Sequence, residues 1–324
     1  MLRHRVLEGG WARWLARVAV SLGIVVYILI DVDTEDLVRT LTGVHLAPLA
    51  GALALYLVGQ VASGYKWGLL GRSVGFERPM GEYVRFYFIG MFFNLFGPST
   101  IGGDFARALY LANGHRPGLA LNSVLFDRVS GLAVLMAFGA MALLAFPQYG
   151  LPLPLTASLI AGGVLLLLGW WTCPRLVRLL PERNRFRRQV EIELAPFWRD
   201  RVLLARVAIV SVVFHGTQAA AQYVLARAAG VALPFSYCLI FHPVISLMTA
   251  LPVSIAGLGV REGGYLYFLT RVNVDDSIAV TLGLLWFAVT VGAGLVGGLL
   301  FIASGARLPR VHAKSPAAAD ASAA

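Results

Sequence analysis

At 324 residues the chain is 58% hydrophobic and only 14% charged, and a mean hydropathy of +0.74 leaves too few polar residues to cover a soluble globule. Several apolar runs approach the roughly 20 residues that cross a bilayer as a helix, so the composition predicts an all-α polytopic integral membrane protein. The formal charge of +10 would suggest nucleic acid in a soluble chain, but here the basic residues gather in particular loops, as membrane orientation requires, and no nucleic-acid partner is expected.

Arg3, Arg5, Arg13 and Arg17 precede an apolar run from Val18 to Ile30. No small-x-small cleavage site follows, and Asp31, Asp33, Glu35 and Asp36 come next, so the run reads as an uncleaved first helix with its N-terminus in the cytoplasm. Asp36 to His45 is short, mixed and interfacial in character. A second span runs from Leu46 to about Tyr65 and closes on Lys66-Trp67, a pairing common at the membrane interface. Phe86 to Phe96 would reach only about 16 Å as a helix, against a hydrocarbon core of about 30 Å. The stretch that follows breaks the helix at Gly97-Pro98, loosens the backbone at Gly102-Gly103 and sets Asp104 and Arg107 three residues apart. This predicts a re-entrant hairpin that returns as Gly103 to Leu111. Such a break at membrane depth needs protein or water to satisfy the freed backbone groups.

Val124 to Phe146, opening on Asp127-Arg128, and about Leu155 to Trp171 cross next. Arg175 to Arg206 is the most basic stretch. It reads as a loop that sets topology, with attraction to anionic headgroups, at roughly 1 kcal/mol per basic residue near the surface, as the alternative. Val207 to Ala229 crosses again and carries Ser211, His215, Gln218 and Gln222 at a spacing that puts them on one helix face. That stripe is either a wet groove or a set of interhelical hydrogen bonds worth about 0.6 to 2 kcal/mol each.

Phe235 to Leu251, interrupted by His242-Pro243, reads as the first arm of a second hairpin, with His242 satisfying backbone rather than relaying protons. Arg261-Glu262, a short return helix and Asp275-Asp276 lead to a final span from Ser277 to Ala303. The Ala/Pro/Ser-rich tail over 304–324 is expected to be disordered and cytoplasmic. Cys173 and Cys238 have neither metal-ligand spacing nor the look of a disulfide framework, and no cofactor or metal is called for.

The two breaks share one form, P-x-[ST]-I-[GA]-G-x-x-x-R, from Pro98 to Arg107 and from Pro252 to Arg261. The layout is therefore about six full spans plus two re-entrant hairpins, in halves of about 1–150 and 151–303 that form an inverted repeat, the architecture that exposes one site to either face. It places every Lys and Arg on the cytoplasmic side except Arg39, Arg227, Arg261 and Arg271. Charged groups inside membrane segments are costly and usually paired. Asp104, Arg107, Asp127, Arg128, Arg261 and Glu262 are therefore site candidates, joined by Asn94, Gly102 and Gly103 at the first break and by His215, Gln218 and Gln222 on the polar stripe. Lys66 is an interfacial outlier. An arginine at such a break suits a phosphate oxygen; the competing reading is that these charges staple helices together.

Three motifs in order, Pro98-x-x-Ile101-Gly102-Gly103-Asp104-x-x-Arg107, then Asp127-Arg128-x-x-Gly131, then Pro252-x-Ser254-Ile255-x-Gly257-x-Gly259-x-Arg261-Glu262, resemble the flippase-like family defined by the transmembrane region of lysylphosphatidylglycerol synthases. The resemblance runs from about Leu15 to Ala303. It implies a role in moving or presenting a lipid across a bacterial-type cytoplasmic membrane. The synthase reaction is not implied, because the 21 residues after Ala303 are too few for the synthases' soluble catalytic domain, which needs at least about 50. The expected ligands are phospholipids or polyprenyl-linked lipids with a phosphate-bearing headgroup, held near Arg107, Arg128 and Arg261, with Asp104 and Glu262 holding the arginines when the site is empty. The alternatives are a non-transporting subunit that anchors a lipid- or glycan-modifying enzyme, and a membrane-embedded lipid-modifying enzyme.

Overall fold

The computed structural model describes residues 34–96, 101–250, 254 and 257–306, together with 19, 22–24, 26 and 30. The expected first span over Val18 to Ile30, the breaks at Gly97-Pro98 and Pro252, and the tail beyond 306 lie largely or wholly outside these residues. Among the described residues every regular element is helical. The principal helices are α1 (Thr34–Thr42), α2 (Leu46–Ser73), α3 (Met80–Phe96), α4 (Ile101–Ala112), α5 (Pro117–Ala145), α6 (Leu153–Leu176), α7 (Arg201–Ala228), α8 (Phe235–Ala250), α9 (Val260–Leu269) and α10 (Asp276–Ala303). Five of them, α2, α5, α6, α7 and α10, are long and apolar enough to cross a membrane. The protein is an all-α, multi-pass membrane protein.

Long apolar stretches become helices here because each helix satisfies its own backbone in hydrocarbon. Side-chain burial then decides which face meets protein and which meets lipid. Leu144, Leu165, Leu299 and Ile302 stay exposed on the outer surface, as lipid-facing positions should. The central pair is α2 and α7, and it is antiparallel: the His45 amide donates to the Ala228 carbonyl at 3.0 Å at one end, and Gly59 meets Thr217 and Gln218 further along. Two helical hairpins flank this pair. In the first, α3 packs against α4; in the second, α8 packs against α9. Because the hairpins follow the C-terminal ends of two antiparallel helices, they begin at opposite ends of the bundle.

The packing pattern of the first half recurs in the second. Helix α3 lies on α2 and α8 on α7; α4 lies on α5 and α9 on α10. The outer contact is exchanged between halves, since α3 packs on α10 while α8 packs on α5. Small residues permit these close approaches. The α-carbon of Gly297 faces the Phe88 backbone carbonyl, leaving no room for a β-carbon, and Gly139 of α5 faces the Pro243 ring of α8.

Several expected boundaries move. The first arm of the first hairpin starts at Met80, giving 17 residues and about 26 Å at 1.5 Å per residue, so it penetrates further than the apolar run alone predicts. Pro243 does not interrupt the second arm, which remains one helix from Phe235 to Ala250. A proline inside a membrane helix is tolerated where neighbours pack against it, and Gly139 supplies that surface. Helix α2 continues to Ser73, so Lys66-Trp67 is not its interfacial end; Trp67 is fully buried against Tyr83, with ring centroids 5.2 Å apart. The basic loop is itself folded: Phe126 of α5 is enclosed by Trp170, Phe197 and Trp198. Cys173 and Cys238 are free.

Candidate functional site

Helices α2, α4 and α5 bring five charged groups into one chain of ion pairs. Lys66 Nζ lies 3.0 Å from Asp127 Oδ1 and also donates to the Asp127 backbone carbonyl. Arg107 Nη1 pairs with Asp127 Oδ2 at 2.8 Å and Arg107 Nη2 with Asp104 Oδ1 at 3.1 Å. Asp104 then receives Arg128 through Nε at 3.0 Å and Nη2 at 2.9 Å. The sequence explains the alternation. Asp104 and Arg107 sit one helical turn apart and share a face, whereas Asp127 and Arg128 are adjacent and must point different ways, Asp127 inward and Arg128 back to Asp104.

Burial grades along this chain. The side chains of Lys66, Asp127 and Arg107 are at most 5% exposed, and that of Arg128 is 43% exposed. Arg107 also stands 5.1 Å over each of the Trp67 and Tyr87 rings. Tyr87 is held by the Ser63 hydroxyl at 2.9 Å and Trp67 by Ser123 at 3.1 Å. Three cations against two carboxylates leave the cluster a net charge of +1. Lys66, read from sequence as an interfacial outlier, is a full member of this cluster. The signal that could have found it is a lysine in the middle of a small-residue helix face, with Gly59 and Ser63 on the same side.

Above the cluster lies a cavity of about 310 Å³ walled by both hairpins, the central pair, α5 and α10. Of the sequence-predicted residues, Asn94, Arg128, His215, Gln218, Gln222 and Arg261 line it. Asp104, Arg107 and Asp127 instead form the ion-pair network behind its wall, so the expectation that Arg107 faces a ligand beside Arg128 and Arg261 is not met. Arg107 is already committed to two carboxylates. Gly103 brings α4 against α3: its amide donates to Asn94 Oδ1 at 2.8 Å, and a β-carbon there would collide with the Gly90 carbonyl. Gly102 opens the same helix beside it.

The second hairpin places its charged pair differently. The chain enters α9 through Gly257 and Gly259, at φ of +76° and +83°, and Arg261 is buried with its guanidinium 5.5 Å over Phe287. Glu262 turns back on its own helix, where Oε2 accepts from the Gly259 amide at 2.6 Å, closing the N-terminus as a capping carboxylate. That geometry gives Glu262 a helix-capping role in place of the arginine-holding role expected from sequence. Of the polar stripe of α7, His215, Gln218 and Gln222 line the cavity, Ser211 is fully buried, and Gln218 also reaches the Tyr56 carbonyl of α2 at 3.5 Å. Sequence reading missed Tyr56, Gln60 and Ser246, which also line the cavity and carry no signal of their own in helices of small and apolar residues.

A second cavity, of about 360 Å³, lies away from these groups beneath the basic loop, lined among others by Trp170, Arg175, Arg178, Glu191 and Trp198. Among the described residues no group of three or more His, Cys, Asp and Glu side chains is arranged to hold a metal ion.

The family described as the lysylphosphatidylglycerol synthase TM region matches residues 14–298. The chain belongs to this family of membrane proteins, related to lipid modification or lipid flipping. No curated protein and no solved structure matches it significantly.

Proposed function

We propose that this member of the lysylphosphatidylglycerol synthase TM-region family moves a lipid with a phosphate-bearing headgroup across the cytoplasmic membrane, with both termini in the cytoplasm. The observation that carries this reading is the cavity at the junction of the two hairpins, polar and lined by Arg128 and Arg261 within a bundle whose outer surface is apolar. Its volume of about 310 Å³ stands at the low end of the roughly 300–1,000 Å³ of small-molecule sites, which suits a headgroup whose chains stay in the bilayer. The +1 excess of the adjoining ion cluster favours a singly charged anion such as a phosphodiester. Arginine suits that ligand because its planar fork matches phosphate oxygens. Hairpins that begin at opposite ends of the bundle would open the cavity alternately to each face.

The test is exchange of acyl-labelled phosphatidylglycerol, and separately of a polyprenyl phosphate, between leaflets of proteoliposomes. Wild type should accelerate exchange at least tenfold over empty vesicles, and Arg128→Ala/Arg261→Ala should return it to background while remaining folded. Folded wild type that accelerates neither lipid sinks the proposal.

A second reading, a non-transporting subunit that anchors a lipid-modifying enzyme, is favoured by the folded basic loop and its arginine-lined cavity. Co-purification of a stoichiometric enzyme that dissociates on Arg175→Ala/Arg178→Ala would move this reading ahead.

A further inference from the structure

His215 and His242, from α7 and α8, meet inside the cavity wall. His242 Nε2 lies 3.5 Å from His215 Nδ1, His215 Nε2 lies 3.2 Å from the Gly131 carbonyl of α5, and the Ser246 hydroxyl lies 3.4 Å from His242 Nδ1. Both imidazoles are buried, at 5% and 3% exposure. The partners settle where the protons sit, because each neutral ring has one N–H and one bare nitrogen. A carbonyl only accepts, so His215 Nε2 carries its proton and Nδ1 is bare. His242 Nε2 must then donate to that bare nitrogen. What is left is His242 Nδ1, the one bare nitrogen of the pair not already accepting from the other ring, receiving the hydroxyl of Ser246 at the cavity lining.

This arrangement accepts one proton and stores it. A proton arriving at His242 Nδ1 from the cavity leaves the His242-to-His215 hydrogen bond intact, since Nε2 still donates; Ser246 has only to turn its hydroxyl and accept. The row cannot conduct further, because the Gly131 carbonyl at its end has no proton to pass on. A second proton would place two N–H groups face to face and break the pair.

The charges around the pair decide when the proton binds. Arg128 from α5 and Arg261 from α9 line the same cavity, with the phenols of Tyr56 and Tyr87 and uncharged Trp286 and Thr290 from α10, while Lys66 of α2 is paired with Asp127 behind its wall. Asp127 is paired with Lys66 and Arg107, Asp104 with Arg107 and Arg128, and Glu262 caps its own helix. Helix α8 itself has no charged residue. An anion entering the cavity stands beside the pair and favours its imidazolium form.

We propose that the His215–His242 pair takes up one proton when an anionic headgroup enters the cavity, so that the protein binds lipid and proton together. This rests on the headgroup reading above. It makes proton uptake the link between ligand occupancy and the contact that joins the second hairpin to the central helices.

The experiment is titration calorimetry of the purified full chain with dihexanoylphosphatidylglycerol, a soluble phosphodiester lipid of charge −1, in PIPES and in Tris, whose ionisation heats differ. The wild type should show a heat difference equal to about one proton taken up per lipid bound, and its affinity should fall about tenfold per pH unit between the titration of the free pair and that of the lipid-bound pair. In His215→Gln/His242→Gln, whatever affinity remains should be independent of buffer and of pH. Probe binding by the wild type with equal heats in both buffers overturns the linkage and leaves the headgroup reading standing. A folded wild type that binds no probe at any pH removes the headgroup reading, and the linkage with it.

Discussion

Arg107 and Arg261 hold equivalent places, each nine residues after the proline of its hairpin, yet their surroundings differ. Arg107 is gripped by Asp127 at 2.8 Å and Asp104 at 3.1 Å beneath two aromatic rings, whereas Arg261 lines the cavity over a single ring. The first hairpin therefore ends in an ion lattice and the second in a polar array of histidines and glutamines around Arg261. The difference teaches that a repeated motif need not repeat its backbone, since Gly103 lies within α4 while its counterpart Gly257 stands at φ +76° ahead of α9, and that the side chains supplied by neighbouring helices decide what each copy does. In the first half α2 brings Lys66 and α5 brings Asp127; at the matching positions of the second half α7 and α10 bring no such pair.

Removing the lattice's central carboxylate should have the largest effect. Asp127→Asn leaves Lys66 buried without its counter-ion and Arg107 with Asp104 alone, at a cost of about 3–5 kcal/mol, read as a large drop in the thermal midpoint of the detergent-purified protein. Arg107→Gln should follow in the same range, because Asp127 and Asp104 lose a shared partner. Arg261→Gln should lower the thermal midpoint less than Arg107→Gln, which breaks two ion pairs, and should show itself in lipid retention by native mass spectrometry. Equal destabilisation by Arg107→Gln and Arg261→Gln would erase the distinction between the hairpins.

The exchanged outer contacts offer a second comparison. At Gly297 a β-carbon meets the Phe88 main chain, which cannot move aside, while at Gly139 it would lie 3.0 Å from the Pro243 ring. Gly297→Ala should therefore destabilise by about 1–3 kcal/mol and Gly139→Ala by less, measured on the same thermal scale. The reverse order would mean that the first hairpin sits less tightly on α10 than these contacts require.

The smallest effect belongs to the helix starts. Asp275 caps α10, accepting from the Ser277 amide at 3.0 Å, whereas its counterpart before α5, Arg116, makes no side-chain cap. Asp275→Ala should cost about 1 kcal/mol and Arg116→Ala nothing from capping. Hydrogen bonds from the Ser277 hydroxyl and amide hold the Asp275 carboxyl below the usual carboxylate range. Its contribution is thus complete above the unfolded value near ~3.9 and is lost as pH falls through the lowered folded value. A thermal midpoint for Asp275→Ala that trails wild type equally at every pH would argue against the cap.

Much of this molecule is legible in its residues taken in order. Helical spans follow from the length of apolar runs, because backbone groups in hydrocarbon have nowhere else to bond. The paired breaks follow from Gly, Pro and Arg at fixed offsets, the polar face of α7 from its spacing, and the divergence of Asp127 from Arg128 from helical geometry alone. What the chain order could not supply is contact across it. Lys66 reads as an interfacial residue until Asp127 is seen beside it, and Glu262 reads as an ion-pair partner until its helix turns back through Gly259. The two histidines, far apart in sequence, become one proton-binding unit when α7 and α8 pack. Periodicity and composition act locally and were set by the sequence itself. Which charges meet, and which of two matching arginines faces open space, depended on helices converging from both halves, and tertiary packing alone decided it.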